Sequence, residues 1–269
     1  MSAQGYIIRG GIVGRERLRI LSRVMRPTSL ALLERAGLQE GMKVLEIGCG
    51  GGDLAFDIAR IVGSVSGRVL GTDIDQTKLE LAASEAAEQN LTNIDFQLAN
   101  IAESAPPGKF DLIHTRFVLT HLTDPLLALK HIRAALRAGG TVVLEDIDFR
   151  GYFCYPDSAA LWRFVHLYTE TASHRGMDAN IGPRLPSLLA DAGFQNIQMN
   201  IVQPSGIDGE VKLITALTME NIADAVIAEG LATAEEIEKI VAELYAYARA
   251  PGTVACMPRV FEAWATQPA

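Results

Sequence analysis

Val44-Leu45-Glu46-Ile47-Gly48-Cys49-Gly50-Gly51-Gly52-Asp53-Leu54-Ala55 decides how the rest of this 269-residue chain is organised. Val44 to Ile47 predict the end of a buried parallel strand. Four glycines then fall within five residues, and Leu54-Ala55-Phe56-Asp57-Ile58-Ala59 begin a helical pattern. Glycine lets the backbone turn through positive φ and lets a ligand approach with no Cβ in the way. Asp53 is placed to cap the helix that follows. A strand, a glycine turn and a helix open a doubly wound α/β domain, whose ligand lies at the strands' carboxyl ends. The spacing departs from the dinucleotide fingerprint. Counted from Gly48, the third glycine of G-x-G-x-x-G would fall at position 53, where this chain has Asp53.

Outward from that loop, strand and helix alternate. Strands are expected at 43–47, 68–73, 94–98, 110–115 and 141–147, with helices at 53–62, 77–89 and 125–136. The strands are short, apolar and β-branched, as parallel strands covered on both faces should be. Gly37, Gly41, Gly67, Gly108, Gly139 and Gly140 punctuate the boundaries. The expected fold class is α/β, with a doubly wound, mostly parallel sheet.

Upstream, Tyr6-Ile7-Ile8 can lie against another element. Leu18, Leu21, Val24 and Met25 mark one face of a helix over 15–25. Pro27 is expected to interrupt it, with Thr28 or Ser29 capping a second helix that Gly37 stops. Arg9, Arg15, Arg17, Arg19, Arg23 and Arg26 make this region locally positive, either as a solvated face or as partners for a ligand carboxylate.

Downstream, residues 148–186 break the rhythm. They carry Phe149, Tyr152, Phe153, Tyr155, Trp162, Phe164 and Tyr168, with His166, His174 and a turn at Gly182-Pro183-Arg184-Leu185-Pro186. A short helix at 187–192, a strand at 196–202, amphipathic helices at 218–229 and 234–248, and a closing strand over 254–265 complete the chain. The expected organisation is an N-terminal helical segment, 1–37, and a domain at 38–269 with lid insertions at about 148–186 and 216–250. The lid aromatics suit a planar or apolar ligand, or form a small core of their own.

Composition narrows the function. Basic residues number 24 against 32 acidic, a net charge of −8, which argues against a nucleic acid surface. Cys49, Cys154 and Cys256 are scattered without metal-like spacing, as expected of reduced thiols. No apolar run approaches the ~20 residues of a membrane span, and the N-terminus lacks the apolar core of a signal peptide. A cytoplasmic protein with no membrane partner and no metal is expected.

Four further features join the glycine loop. Glu46 makes an acidic-x-Gly-x-Gly pattern. Asp73 ends the second strand, where its two acceptor oxygens can take both hydroxyls of a ribose. Asn100-Ile101 follow the third strand with a polar group and an apolar side chain, suited to the edge and face of a purine. Arg116-Phe117-Val118-Leu119-Thr120-His121-Leu122-Thr123-Asp124-Pro125 and Ala138-Gly139-Gly140 follow the fourth strand and precede the fifth.

In this order, these residues resemble the class I S-adenosylmethionine-dependent methyltransferases, above all the small-molecule group that includes ubiquinone/menaquinone-biosynthesis and sugar O-methyltransferases. The resemblance covers roughly 40–150. It implies seven strands with the last antiparallel, supplied by 254–265. It implies that Glu46, Gly48, Cys49 and Gly50 hold the methionine half of S-adenosylmethionine. Asp73 with Ile74 would hold the ribose, Asn100 with Ile101 the adenine, and Arg116-Phe117 the wall beneath the sulfonium. Asn100 stands where the family more often has aspartate, and Ala138 where it usually has proline.

Methyl transfer from a sulfonium is an in-line displacement, so the protein's main task is alignment. A hydroxyl or amine acceptor must also lose a proton. His121, after the fourth strand, is the leading base and also borders the cofactor; similar enzymes place a histidine there. Asp146 can orient it, Asp148 is a weaker duplicate, and His166 and His174 are reserves. His114, mid-strand, reads as a packed histidine, and Cys49 as a small loop residue. The expected partner is a small-molecule acceptor, with O or N favoured, and the amphipathic helix over 234–248 allows a homodimer. Two rivals remain: a nicotinamide-dependent oxidoreductase, and a methyltransferase-fold regulator that senses the cofactor without consuming it.

Overall fold

A computed structural model describes residue 8 and residues 11–104 and 106–268. Tyr6, Ile7 and Arg9 lie outside the described residues. The apolar strands assemble as expected. β1 (Lys43–Ile47), β2 (Arg68–Asp73), β3 (Ile94–Leu98), β4 (Phe110–Arg116), β5 (Leu136–Asp148), β7 (Gln195–Val202) and β10 (Arg259–Thr266) form one sheet in the order 3-2-1-4-5-10-7. β10 runs antiparallel between β5 and β7, and the five strands from β3 to β5 pair in parallel. The order reverses beside β1, where β1 neighbours both β2 and β4. In open α/β sheets that is where a crevice opens at the carboxyl edge.

Helices cover the sheet. α2 (Asp53–Val62) and α3 (Gln76–Glu88) pack with β2 and β3, and α4 (Pro125–Ala135) and α6 (Leu185–Asp191) lie against β5, β7 and β10. Leu54, Ala55, Phe56 and Ile58 of α2 are buried with Val44 and Val69, while Leu129 and Ile132 of α4 are buried with Leu45 and Leu144. α1 (Gly11–Arg35), α5 (Ala159–His174), α7 (Ile214–Ala228) and α8 (Ala234–Arg249) build a separate helical layer. Leu21, Met25, Phe164, Met219, Ile222 and Ile240 share its core.

Three boundary expectations are corrected. Pro27 does not interrupt the N-terminal helix, which is continuous over Gly11–Arg35. An interior proline costs about 3 kcal/mol, but Met25, Leu32 and Leu33 on either side are fully buried and hold the segment against the body. Neither neighbour caps a second helix: Thr28 Oγ1 donates to the Met25 carbonyl and Ser29 Oγ donates to Glu145. Asp53 does not cap α2. The cap position is Gly52 at φ 82°, and the Asp53 carboxylate accepts instead from Arg15 at 2.8 Å. The closing strand is two strands. β9 (Val254–Cys256) joins β6 (Cys154–Tyr155) and β8 (Ser205–Gly206) in a small second sheet, and β10 begins after Met257-Pro258. Pro258 has no N–H to continue a ladder.

Candidate active site

The glycine loop owes its shape to close approach. At Gly48, φ is 70° and a Cβ would overlap the Val118 side chain; at Gly51 it would fall on the Arg15 guanidinium. A side chain at Gly48 would force Val118 or the loop to move, and one at Gly51 would displace the Arg15 guanidinium. α1 thus lies directly over the loop. Arg15 pins it there through Asp53 at 2.8 Å and Glu85 at 2.6 Å.

Beside the loop opens a cleft of about 1460 Å³, its mouth included. Glu46, Gly48, Cys49, Gly50, Asp73, Ile74, Asn100, Ile101, Arg116, Phe117 and His121 all line it. Asp146, Asp148, His166 and His174 do not.

Asp73 is held by two backbone donors, Gly50 N to Oδ2 at 2.9 Å and Asp75 N to Oδ1 at 3.0 Å. Each carboxylate oxygen accepts more than one hydrogen bond, so capacity for a diol remains. Asn100 lines the cleft and is also engaged locally: Oδ1 accepts from Ala102 N at 3.1 Å and Nδ2 donates to Glu103 at 2.9 Å. Its amide shapes its own turn at the cleft's edge.

Glu46 is buried, and its Oε2 has no hydrogen-bond partner among the described residues. Its Oε1 stands 3.7 Å from His114 Nδ1, and His114 Nε2 lies 3.0 Å from Glu145 Oε1. Ser29 Oγ donates to Glu145 Oε2 at 2.9 Å, and Arg116 Nη1 donates to that hydroxyl at 2.9 Å. Burial works against an imidazolium at His114, but the two glutamates outweigh it and raise its pKa. Burial likewise pushes the Glu145 carboxyl up, yet His114 and Arg116 hold it below the usual range. His114 is therefore a packed histidine, as its mid-strand place implied, with an ionic connection to the cleft.

At the carboxyl end of β4, Phe117 takes φ 56° while its N–H donates to the Glu145 carbonyl at 2.8 Å. Non-glycine residues held in this region cluster at ligand sites. The chain then makes a short turn to His121, which lines the cleft. Burial, with the charges of Arg17 and Lys78, pushes its pKa down to about 3, so the ring is neutral at physiological pH. Asp146 is buried beneath that turn, accepting from Thr120 N at 3.1 Å and from Ile147 N at 2.9 Å. Burial raises its pKa to about 7 against those donors. Asp148 is tied to Arg150 at 2.7 Å and Arg259 at 2.8 Å. His166 and His174 are exposed and paired with Glu170 and Glu229.

The helical layer closes the far side with Phe149, Tyr152, Tyr168, Ile214 and Thr218. Phe149 and Tyr168 stack at 4.1 Å between ring centroids, and both also pack on Phe164, so these rings serve the layer's own core and the cleft at once. Of the lining cations, Lys78 escapes sequence reasoning, and Arg17 is not singled out from the other N-terminal arginines. Lys78, buried in α3 with Nζ 3.8 Å from Asp75 Oδ2, carries no motif signal. Arg17 differs from its neighbours only once their partners are known. Among the described residues no group of three His, Cys, Asp or Glu is placed to hold a metal, and no helix is long and apolar enough to cross a membrane.

Such a sheet, with a glycine loop, a carboxylate ending the second strand and a capped cleft at the switch point, is the architecture of a doubly wound α/β domain that takes a nucleotide-type ligand. A family model described as a methyltransferase domain matches residues 38–179. The chain belongs to that family, as a class I S-adenosylmethionine-dependent methyltransferase. It is 36% identical over 112 residues to demethylmenaquinone methyltransferase of Lactococcus lactis, covering 41% of this chain and 44% of that protein. It is 32% identical over 117 residues to a ubiquinone biosynthesis O-methyltransferase of Acinetobacter baumannii, covering 43% of this chain and 48% of that one. The chain spans about half the length of the curated relatives it matches. A methyltransferase of Bacillus halodurans shares the fold with a TM-score of 0.60 at 18% identity, covering 89% of this chain and 98% of that one.

Proposed function

We propose that this chain transfers the methyl group of S-adenosylmethionine to a small, planar or apolar acceptor, at oxygen or nitrogen, by in-line displacement. The observation that carries the reading is the unpartnered, buried Oε2 of Glu46 in the same cleft as the Asp73 carboxylate. A buried carboxylate oxygen without a donor is costly unless a ligand supplies one. The methionine ammonium is such a donor, and the ribose hydroxyls suit Asp73, so the residues fit the group.

When bound, S-adenosylmethionine supplies a sulfonium-activated methyl group. Glu46, Gly48, Cys49 and Gly50 hold the methionine half in this reading, Asp73 and Ile74 the ribose, and Ile101 with Asn100 the adenine. Arg116-Phe117 form the wall under the reacting centre, and the strained backbone at Phe117 fixes that wall. The lid over 148–186 and 216–250, together with the N-terminal segment, shields the site from water. Holding nucleophile and methyl in line can contribute about 7–11 kcal/mol.

His121 is the proposed proton acceptor. Its neutral ring can accept from the acceptor's O–H or N–H. That proton grows far more acidic as the new bond to carbon forms, so a weak base suffices. Asp146 acts as a positioning residue, fixing the turn through Thr120 N, one residue before His121.

Calorimetric titration with S-adenosylhomocysteine, and separately with NADH, tests the reading. Binding of the first by wild type, weakened about tenfold or more in Asp73→Ala, supports it. Binding of NADH in its place would return the chain to nicotinamide chemistry. Binding with no methyl transfer to any of a panel of phenols, catechols and amines would favour the regulator reading.

A further inference from the structure

α1 carries five described arginines between positions 15 and 26, and four have carboxylate partners. Arg15 meets Asp53 and Glu85, Arg19 meets Glu85, Arg23 meets Glu210, and Arg26 meets Asp57. Among the described residues Arg17 alone has none. It is 8% exposed and lines the cleft, and among the described residues it makes one hydrogen bond, from Nε to Thr218 Oγ1 at 3.1 Å. Neither Nη atom has a partner among the described residues.

A guanidinium cannot shed its proton to escape burial. Arg17 is largely withdrawn from bulk water with no counter-charge among the described residues, an arrangement that a ligand carboxylate in the cleft would complete. Its two Nη groups form a fork that matches a carboxylate. Thr218 fixes that fork from the helical layer, opposite the glycine loop. Tyr152, Tyr168 and His121 line the same cleft. The Arg17 charge also contributes to the depressed basicity of His121, which places the two within electrostatic reach.

We propose that Arg17 is a specificity residue that binds a carboxylate carried by the acceptor, so that the acceptor is an apolar or aromatic acid. This rests on the methyl-transfer reading for the word acceptor, though not for the anion site itself. The rival source of the same chemistry is the methionine carboxylate of the cofactor.

The test is calorimetry on the full chain with matched probes: 3,4-dihydroxybenzoate against catechol, and 4-hydroxyphenylacetate against 4-methylphenol. Each pair is titrated with and without S-adenosylhomocysteine, so failure of the cofactor reading leaves the anion test intact. The expected result is that the acid of at least one pair binds about tenfold or more tighter than its neutral partner. In Arg17→Gln that gap closes, while S-adenosylhomocysteine affinity stays within about twofold of wild type. Absence of any preference for the acids in wild type overturns the proposal, as does a gap that survives in Arg17→Gln. A tenfold loss of S-adenosylhomocysteine affinity in that variant assigns the arginine to the cofactor and also overturns it. Should Arg17→Gln not fold, Thr218→Val replaces it, releasing the Nε anchor while keeping the charge. A narrowed gap there supports the proposal, and an unchanged gap contradicts it.

Discussion

His114 Nε2 lies 3.0 Å from Glu145 Oε1 in the middle of the sheet, with both side chains fully buried. On one side this pair approaches Glu46, and on the other it reaches Arg116 through Ser29, so both of its ends touch the cleft. Stability and the electrostatics of the cleft therefore share one set of charges.

Removing His114 takes away the cation between Glu145 and Glu46 and leaves Glu145 with only Arg116, reached through Ser29. His114→Gln should cost about 3–5 kcal/mol at pH 6, the range found when one partner of a buried pair is lost. The sign of its pH dependence follows from the raised imidazole pKa. The stabilisation is fully present below the ordinary value of 6.5 and is lost as pH rises through the higher folded value. Urea denaturation between pH 6 and 9 should show wild type losing its advantage over His114→Gln as pH rises. A constant difference would contradict the ionic account.

Much of this could be foreseen from the chain. The parallel strands announced themselves as short β-branched runs, and Glu46, Asp73 and His121 reach one cleft because each lies at or just past a strand's carboxyl end. The arginines of α1 could not be placed that way. Arg26 meets Asp57 and Arg23 meets Glu210, 31 and 187 residues away. Pro27 misled because local propensity was outweighed by burial of Met25, Leu32 and Leu33, a tertiary effect invisible locally. Asp146 shares a strand end with the site, yet it faces the backbone of Thr120, and only the coordinates distinguish the two directions.

Asp146→Ala removes the acceptor for Thr120 N and Ile147 N, and each orphaned donor costs about 1–3 kcal/mol. Because the turn carries His121, activity should fall more than cofactor affinity. The raised carboxyl pKa has the opposite sign from an ion-paired aspartate. Its stabilisation is complete below the ordinary 3.8 and is lost as pH rises through about 7. Asp146→Asn should therefore narrow the stability gap between pH 5 and pH 8, as thermal denaturation at the two pH values would show.

His121→Gln should lower kcat by about 10²–10⁴, the range for loss of a positioned proton acceptor, with S-adenosylhomocysteine affinity nearly unchanged. With its pKa near 3, His121 predicts no loss of wild-type activity from protonation of this ring between pH 5 and 8. A pH–rate profile that breaks near 6.5 and flattens in His121→Gln would show an exposed, ordinary histidine instead.

Gly48→Ala places a Cβ on Val118 at a residue with φ 70°. Left-handed strain and overlap together should destabilise the chain by about 1–3 kcal/mol and weaken cofactor binding, because the loop must move away. Gly230→Ala, at φ 69° but with open space around it at the end of α7, is the matched control and should destabilise less. Thermal denaturation of both variants measures the difference.

The most direct measurement is a crystal structure of the chain with S-adenosylhomocysteine. The ribose hydroxyls should lie within hydrogen-bond reach of Asp73, and the ammonium should meet Glu46 Oε2, with His121 facing the sulfur from the acceptor side. A nucleoside bound elsewhere, or bound with Glu46 Oε2 still unpartnered, would contradict the account.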